Sequence, residues 1–209
     1  MKITKFFTLL VVTSLLFTSC KEEKKETETP ITESATPADT FIVKPEATSV
    51  TWTAYKTTDK VGVGGEFTTL NFENKKGATP EEALSGLKFS IPVSSLFTKD
   101  DTRDAKLKTS FFGAMLDTEL ISGTINYTNN NYVASITMNG TTNNLPLEVS
   151  ITEERRVTMK GKMNLKDWNA LDALASLNKV CFDLHKGADG VSKTWEDVDI
   201  VVSTYLRDK

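Results

Sequence analysis

The chain has 209 residues, with 28 acidic against 25 basic side chains for a formal net charge of −3, two cysteines and one histidine. A mildly acidic balance without a basic patch argues against a nucleic-acid partner. With His185 as the sole histidine, any Ser-His-Asp or Cys-His machinery has to use that one position.

Lys2 and Lys5 open the chain, and Phe6 to Phe17 form an apolar run too short to span a bilayer, the pattern of a signal peptide over residues 1–19. The run closes on Phe17-Thr18-Ser19-Cys20, which resembles the lipobox read by lipoprotein signal peptidase, with Phe17 where that motif usually has Leu. Cys20 is therefore the expected lipidation site and membrane anchor, because the two or three acyl chains of a bacterial lipoprotein hold where one holds only marginally. Acylation leaves Cys181 alone, so no intramolecular disulfide is available and the core has to stabilise itself.

Residues 20–40 are mostly Lys, Glu, Thr, Pro, Ser and Ala and cannot offset the entropy of ordering, so they read as a lipidated, disordered tether. Such a tether of about 20 residues reaches roughly 25 Å. Its charged start, Lys21 to Glu26, resembles the surface-export signal of Bacteroidota lipoproteins, although a plain solvated linker has the same composition. The expected location is the bacterial cell envelope, as an outer-membrane lipoprotein facing the periplasm or the cell surface.

Residues 41–209 have the size of one domain, and alternation dominates them. Val50, Trp52 and Ala54 come first, then Leu87, Phe89, Ile91 and Val93, then Ile121, Ile125 and Tyr127. Tyr132 to Met138, Leu145 to Ile151, Val157 to Leu165 and Val198 to Leu206 repeat the pattern. Period two with polar residues between predicts strands with one dry face. With Phe67 to Phe72 added, about eight strands are expected. Short polar links at Asn129 to Asn131, Gly140 to Asn144 and Glu153 to Arg156 suit antiparallel neighbours. The predicted class is all-β, an eight-stranded antiparallel barrel with one or two short helices, and a two-sheet sandwich satisfies the same pattern.

Two segments break the alternation. Asp101 is read as a helix cap with Asp104 in the first turn and Leu107 and Phe111 on one face; Asp167 precedes Trp168, Leu171, Leu174 and Leu177. Both are expected to pack over barrel openings, as fixed covers or as a lid. Gly62 to Gly65 is read as a turn between the first two strands, since it lacks the Lys-Ser/Thr of a phosphate loop.

Within Ser95 to Phe112 stand Ser95-Leu96-Phe97-Thr98, Thr102-Arg103-Asp104-Ala105-Lys106-Leu107-Lys108 and Phe111-Phe112. This block resembles the signature of the YceI-like family of lipocalin-like barrels, and weaker pieces extend the resemblance over residues 45–206. It departs from the family at Ala47-Thr48-Ser49 and at Lys166-Asp167-Trp168-Asn169, and Leu171 to Trp195 has no family counterpart. The resemblance implies a hydrophobic tunnel that takes a polyisoprenoid or similar long-chain lipid for carriage, storage or protection. Trp52, Phe89, Ile91, Tyr127, Ile136, Met138, Val198 and Ile200 are the inward-facing candidates to line it. The competing reading is a surface scaffold or adhesion lipoprotein with a solidly packed barrel.

No catalytic residue, metal site or cofactor is expected. Cys181, Asp183 and His185 lie close in sequence but lack the spacing of a metal site or a visible oxyanion partner. Asp197 and Asp199 fall on the wet face of a strand opposite Val198 and Ile200.

Overall fold

The structure, a computed structural model, describes residues 40–209. The signal peptide, Cys20 and the tether up to residue 39 lie outside the described residues. Twelve strands are formed: β1 (Phe41–Ile42), β2 (Thr48–Lys56), β3 (Val61–Phe67), β4 (Asn71–Phe72), β5 (Lys76–Gly77), β6 (Leu87–Pro92), β7 (Leu96–Phe97), β8 (Leu120–Thr128), β9 (Asn131–Met138), β10 (Thr141–Thr152), β11 (Arg156–Asn164) and β12 (Thr194–Tyr205). Three short helices join them: α1 (Pro80–Leu84), α2 (Asp101–Lys106) and α3 (Leu171–Val180).

Ten strands form one antiparallel sheet in the order β4-β6-β8-β9-β10-β11-β12-β2-β3-β7. Its two ends belong to the same pair of chain segments. Residues 61–72 run as β3 and β4, residues 87–97 as β6 and β7, and these segments pair antiparallel through Glu66↔Phe97, Phe67↔Leu96, Asn71↔Ser90 and Phe72↔Phe89. The Thr68 amide, between β3 and β4, donates to the Ser95 carbonyl at 3.0 Å. Counting each bent segment as one strand, eight strands close into a barrel in meander order, so no long edge is left to pair with another chain. One sheet curled on itself replaces the sandwich alternative.

The hairpins are tighter than their polar links suggest. Asn129 and Asn130 both have positive φ (52° and 62°), as do Asn139 and Gly140 (53° and 64°), the backbone of two-residue turns that match the twist of the flanking strands. Thr141 to Asn144, expected in a loop, are therefore already paired with β9.

The glycine run is also not a turn. Gly62, Gly64 and Gly65 lie inside β3, and the turn is Thr57 to Lys60. At Gly65 the reason is close approach: a Cβ there would lie 2.4 Å from Cζ2 of the Trp52 indole across the ladder.

The two barrel ends are filled differently. At one, α1 and the β1–β5 pair pack onto the sheet, and Phe41, Leu84, Leu87, Tyr132, Val157, Met159 and Leu206 form a solid cluster. At the other, α2 runs into a π-helical turn at Leu107–Phe111 that packs against α3. The cap of α2 is Asp100, not Asp101: its carboxylate accepts from the Arg103 amide at 3.0 Å. Asp167 does not cap α3 either; it sits in a 3-10 turn, Leu165–Trp168, where the Asn164 side chain accepts from the Lys166 amide. The barrel and both end covers are built entirely from residues 40–209, so these can fold without the preceding segment.

Candidate functional site: an apolar barrel cavity

Inward positions of the barrel strands do not all meet in the middle. They surround a cavity of about 190 Å³, whose wall includes Trp52, Phe89, Ile91, Ile136, Met138, Val198 and Ile200. Phe89, Val198 and Ile200 stay only half-buried although they point to the inner face. Among the described residues, Thr194 is the only one on the wall that is not apolar or aromatic. The arrangement can hold hydrocarbon and offers almost nothing to a charged or strongly hydrated ligand.

Seven of the eight sequence candidates thus stand on the wall, and Tyr127 does not. Its ring lies 4.5 Å from that of Tyr132 and its hydroxyl donates to Asn130 Oδ1 at 3.1 Å, so it belongs to the packed end. Period two assigns a face but not a depth along the barrel axis.

The helical segments pack over a barrel opening as their sequence suggests, but that their side chains belong to the cavity wall itself was not legible. Leu107, Phe111 and Phe112 from the α2 side and Leu174 and Leu177 from α3 close the same end. The four-residue spacing of Leu107 and Phe111 gives the apolar face; only the tertiary fold shows that both covers share one opening. Gly123 makes room from the sheet side, since a Cβ there would lie 2.7 Å from the Phe89 ring.

A wetter pocket of about 240 Å³ adjoins the cavity and shares Trp52, Ala54, Leu107, Leu177 and Thr194 with it. Its remaining walls include Lys56, Asp100, Arg103, Lys106, Cys181 and His185. This is the mouth. The signature residues hold its rim: buried Asp104 accepts from the Thr98 amide at 2.9 Å and from the Thr98 hydroxyl, while Arg103 Nε donates to that hydroxyl at 3.0 Å. They fasten α2 to the end of β7.

The candidate reactive residues are each held by local partners. His185 Nδ1 bonds Thr194 Oγ1 at 2.7 Å, whereas Asp183 is paired with Lys186 at 2.7 Å. Burial, reinforced by Lys56 and Lys106, pushes the His185 imidazole below its ordinary 6.5. Cys181 is buried. Asp197 takes a hydrogen bond from Lys60 at 2.8 Å, which holds its carboxyl below the ordinary range, and Asp199 accepts from the Tyr55 hydroxyl. Both carboxylates brace the barrel wall.

A comparison with curated proteins finds no match. Among solved structures, the chain resembles a polyisoprenoid-binding domain from Saccharophagus degradans implicated in plant cell wall breakdown, with a TM-score of 0.59 and 12% identity over 82% of this chain and 99% of that one. BcnA of Burkholderia cenocepacia gives a TM-score of 0.50 and 15% identity over 78% of this chain and 98% of that one. At such identities the likeness is one of fold. The model of the YceI-like domain matches residues 41–205, the whole barrel with both covers, and so runs through Leu171 to Trp195, which the resemblance alone left without a counterpart. The chain therefore belongs to the YceI-like family.

Proposed function

We propose that this protein binds a long-chain apolar lipid, of the polyisoprenoid class, in the barrel cavity and carries, stores or protects it at the cell envelope. The cavity wall carries the reading: 28 of its 29 residues are apolar or aromatic. Burying one CH₂-sized group contributes about 0.8 kcal/mol, and association costs about 4 to 15 kcal/mol. Offsetting that cost takes roughly 5 to 19 such groups, which selects a long chain over a small fragment. The polyisoprenoid-binding Saccharophagus degradans domain supports the same ligand class. The lipobox-like Phe17 to Cys20 supports export and anchoring through Cys20.

Filling variants test the space. Ile91→Trp and Met138→Trp place bulk on two wall strands, β6 and β9, with β8 between them; in an occupied tunnel at least one keeps the melting temperature while losing the bound lipid. In a solid core both overpack, at about 1 to 3 kcal/mol. Early melting of both, with no lipid in the parent protein, replaces the carrier reading with a scaffold.

A further inference from the structure

Helix α3 leaves the cavity cover through Val180 and runs into a 3-10 turn, Asp183–His185, and this short stretch has two faces. Cys181 and His185 stand on the wall of the mouth pocket, the first buried and the second half-buried. Val180, Phe182 and Leu184 face solvent and are 48%, 51% and 58% exposed. Leu184 also reaches the pocket wall, so the exposed apolar face begins at the rim of the mouth itself. Val191 adds to it from the returning loop: it is exposed, and its carbonyl accepts from the Gly187 amide at 2.9 Å. Apolar side chains exposed singly need no account, but several gathered at the opening of an apolar cavity mark a surface that something else covers.

The same rim is basic. Among the described residues, Lys56, Arg103 and Lys106 stand on the mouth wall against one carboxylate, Asp100. That carboxylate is already used: it caps α2 at the Arg103 amide and lies 3.7 Å from the Arg103 guanidinium. Asp183, on the turn, is paired with Lys186 at 2.7 Å, and Asp189, on the returning loop, is folded back onto the Val191 amide at 3.0 Å. Lys56 and Lys106 have no ion-pair partner among the described residues. The Lys56 ammonium instead donates to the Leu184 carbonyl at 3.2 Å, which sets a positive charge directly behind the exposed leucine. This local excess is opposite in sign to the net charge of the chain, −3. Apolar side chains backed by cations fit the surface of an anionic bilayer, where the first enter the acyl boundary and the second meet headgroup phosphates.

Resting on the lipid-binding reading, we infer that the lip formed by Val180, Phe182 and Leu184, with Lys56 and Lys106 behind it, is the surface by which the barrel docks mouth first on an anionic lipid bilayer. A ligand held by hydrocarbon contacts resides in a bilayer when it is not in the barrel, and a chain crossing open water between the two would expose every methylene on the way. A mouth pressed to the bilayer removes that gap. A second copy of this chain seated lip to lip would also cover the apolar side chains, but it would set these unpaired cations against each other, which anionic headgroups do not.

The test uses residues 40–209 and vesicles of phosphatidylcholine and phosphatidylglycerol in equal amounts. The parent domain should float with the vesicles. Phe182→Ser combined with Leu184→Ser, at two exposed positions and so with the parent melting temperature, should weaken partitioning roughly tenfold or more. Lys106→Gln should weaken it roughly fivefold, and that difference should vanish on phosphatidylcholine alone. In a separate reading that removes no apolar side chain, the fluorescence of Phe182→Trp should be quenched by bromine-labelled acyl chains, while that of Tyr205→Trp, next to Leu206 of the packed end, should not. A parent domain that stays with the soluble fraction, or a double variant that floats as well as the parent, overturns docking by this lip, and a lipid-bearing organic extract of the same protein would then leave lipid binding standing. Self-association in sedimentation that the double variant abolishes, without flotation, assigns the face to a second copy and overturns the bilayer. Flotation lost in the double variant, with an extract empty of long-chain lipid, supports the docking surface and overturns the lipid-binding reading alone.

Discussion

At Thr98 the chain leaves the sheet, and the backbone N–H there is taken by the carboxylate of Asp104, itself buried. Replacing Asp104 by Ala strands that N–H in a dry environment, while the Thr98 hydroxyl keeps Arg103 Nε and the Asp100 carbonyl, a loss of about 1 to 3 kcal/mol. Urea unfolding of Asp104→Ala should show a midpoint lowered to match; an unchanged midpoint would mean that water replaces the carboxylate. Gly65 acts through volume instead. Since even a methyl group there meets Trp52 at 2.4 Å, Gly65→Ala should cost about 1 to 3 kcal/mol and disturb the indole fluorescence. A variant with parent stability and spectrum would show that the ring has room to move.

Strands and covers differ in how they can be read from sequence. Most barrel strands keep period two against a closed interior, so Leu87 to Ile91 or Tyr132 to Met138 announce their dry face residue by residue. The same rule gives no depth, so it points Tyr127 to the tunnel while the ring stands in the packed end. The glycine run in β3 read as a turn because glycine serves both turns and close approach, and the indole it accommodates comes from another strand. That α2 and α3 meet over one opening depends on where β7 and β11 end, a long-range property invisible in either segment alone. The cover also has a measurable electrostatic signature. His185 has a folded-state pKa below its ordinary 6.5, so the unfolded chain binds more protons as pH falls through that value. Stability from keeping this imidazole neutral is full above 6.5 and is lost as pH falls toward the folded value. Asp197, also lowered, has an ordinary value of 3.8 and acts only at more acid pH. Between about pH 7.5 and pH 5.5, His185→Gln should therefore flatten the decline in unfolding free energy. Parallel declines in both proteins would show that His185 is freely solvated.

Across the whole molecule, one barrel end is packed solid and the other is hollow, covered by α2 and α3, and adjoined by a polar mouth. That polarity suits a container entered from one side. If the container is tethered as proposed, Cys20→Ala should move the protein from the membrane to the soluble envelope fraction, and a variant that stays membrane-bound and incorporates labelled palmitate would contradict the anchor. The central claim is that the hollow end holds a lipid. It is tested most directly by mass spectrometry of an organic extract of the protein purified from its own host, quantified against protein. Lipid binding demands a long-chain isoprenoid-type species approaching one per barrel, lost in at least one filling variant that keeps its stability. An extract with no long-chain lipid above the level carried by an unrelated protein purified alongside would contradict it.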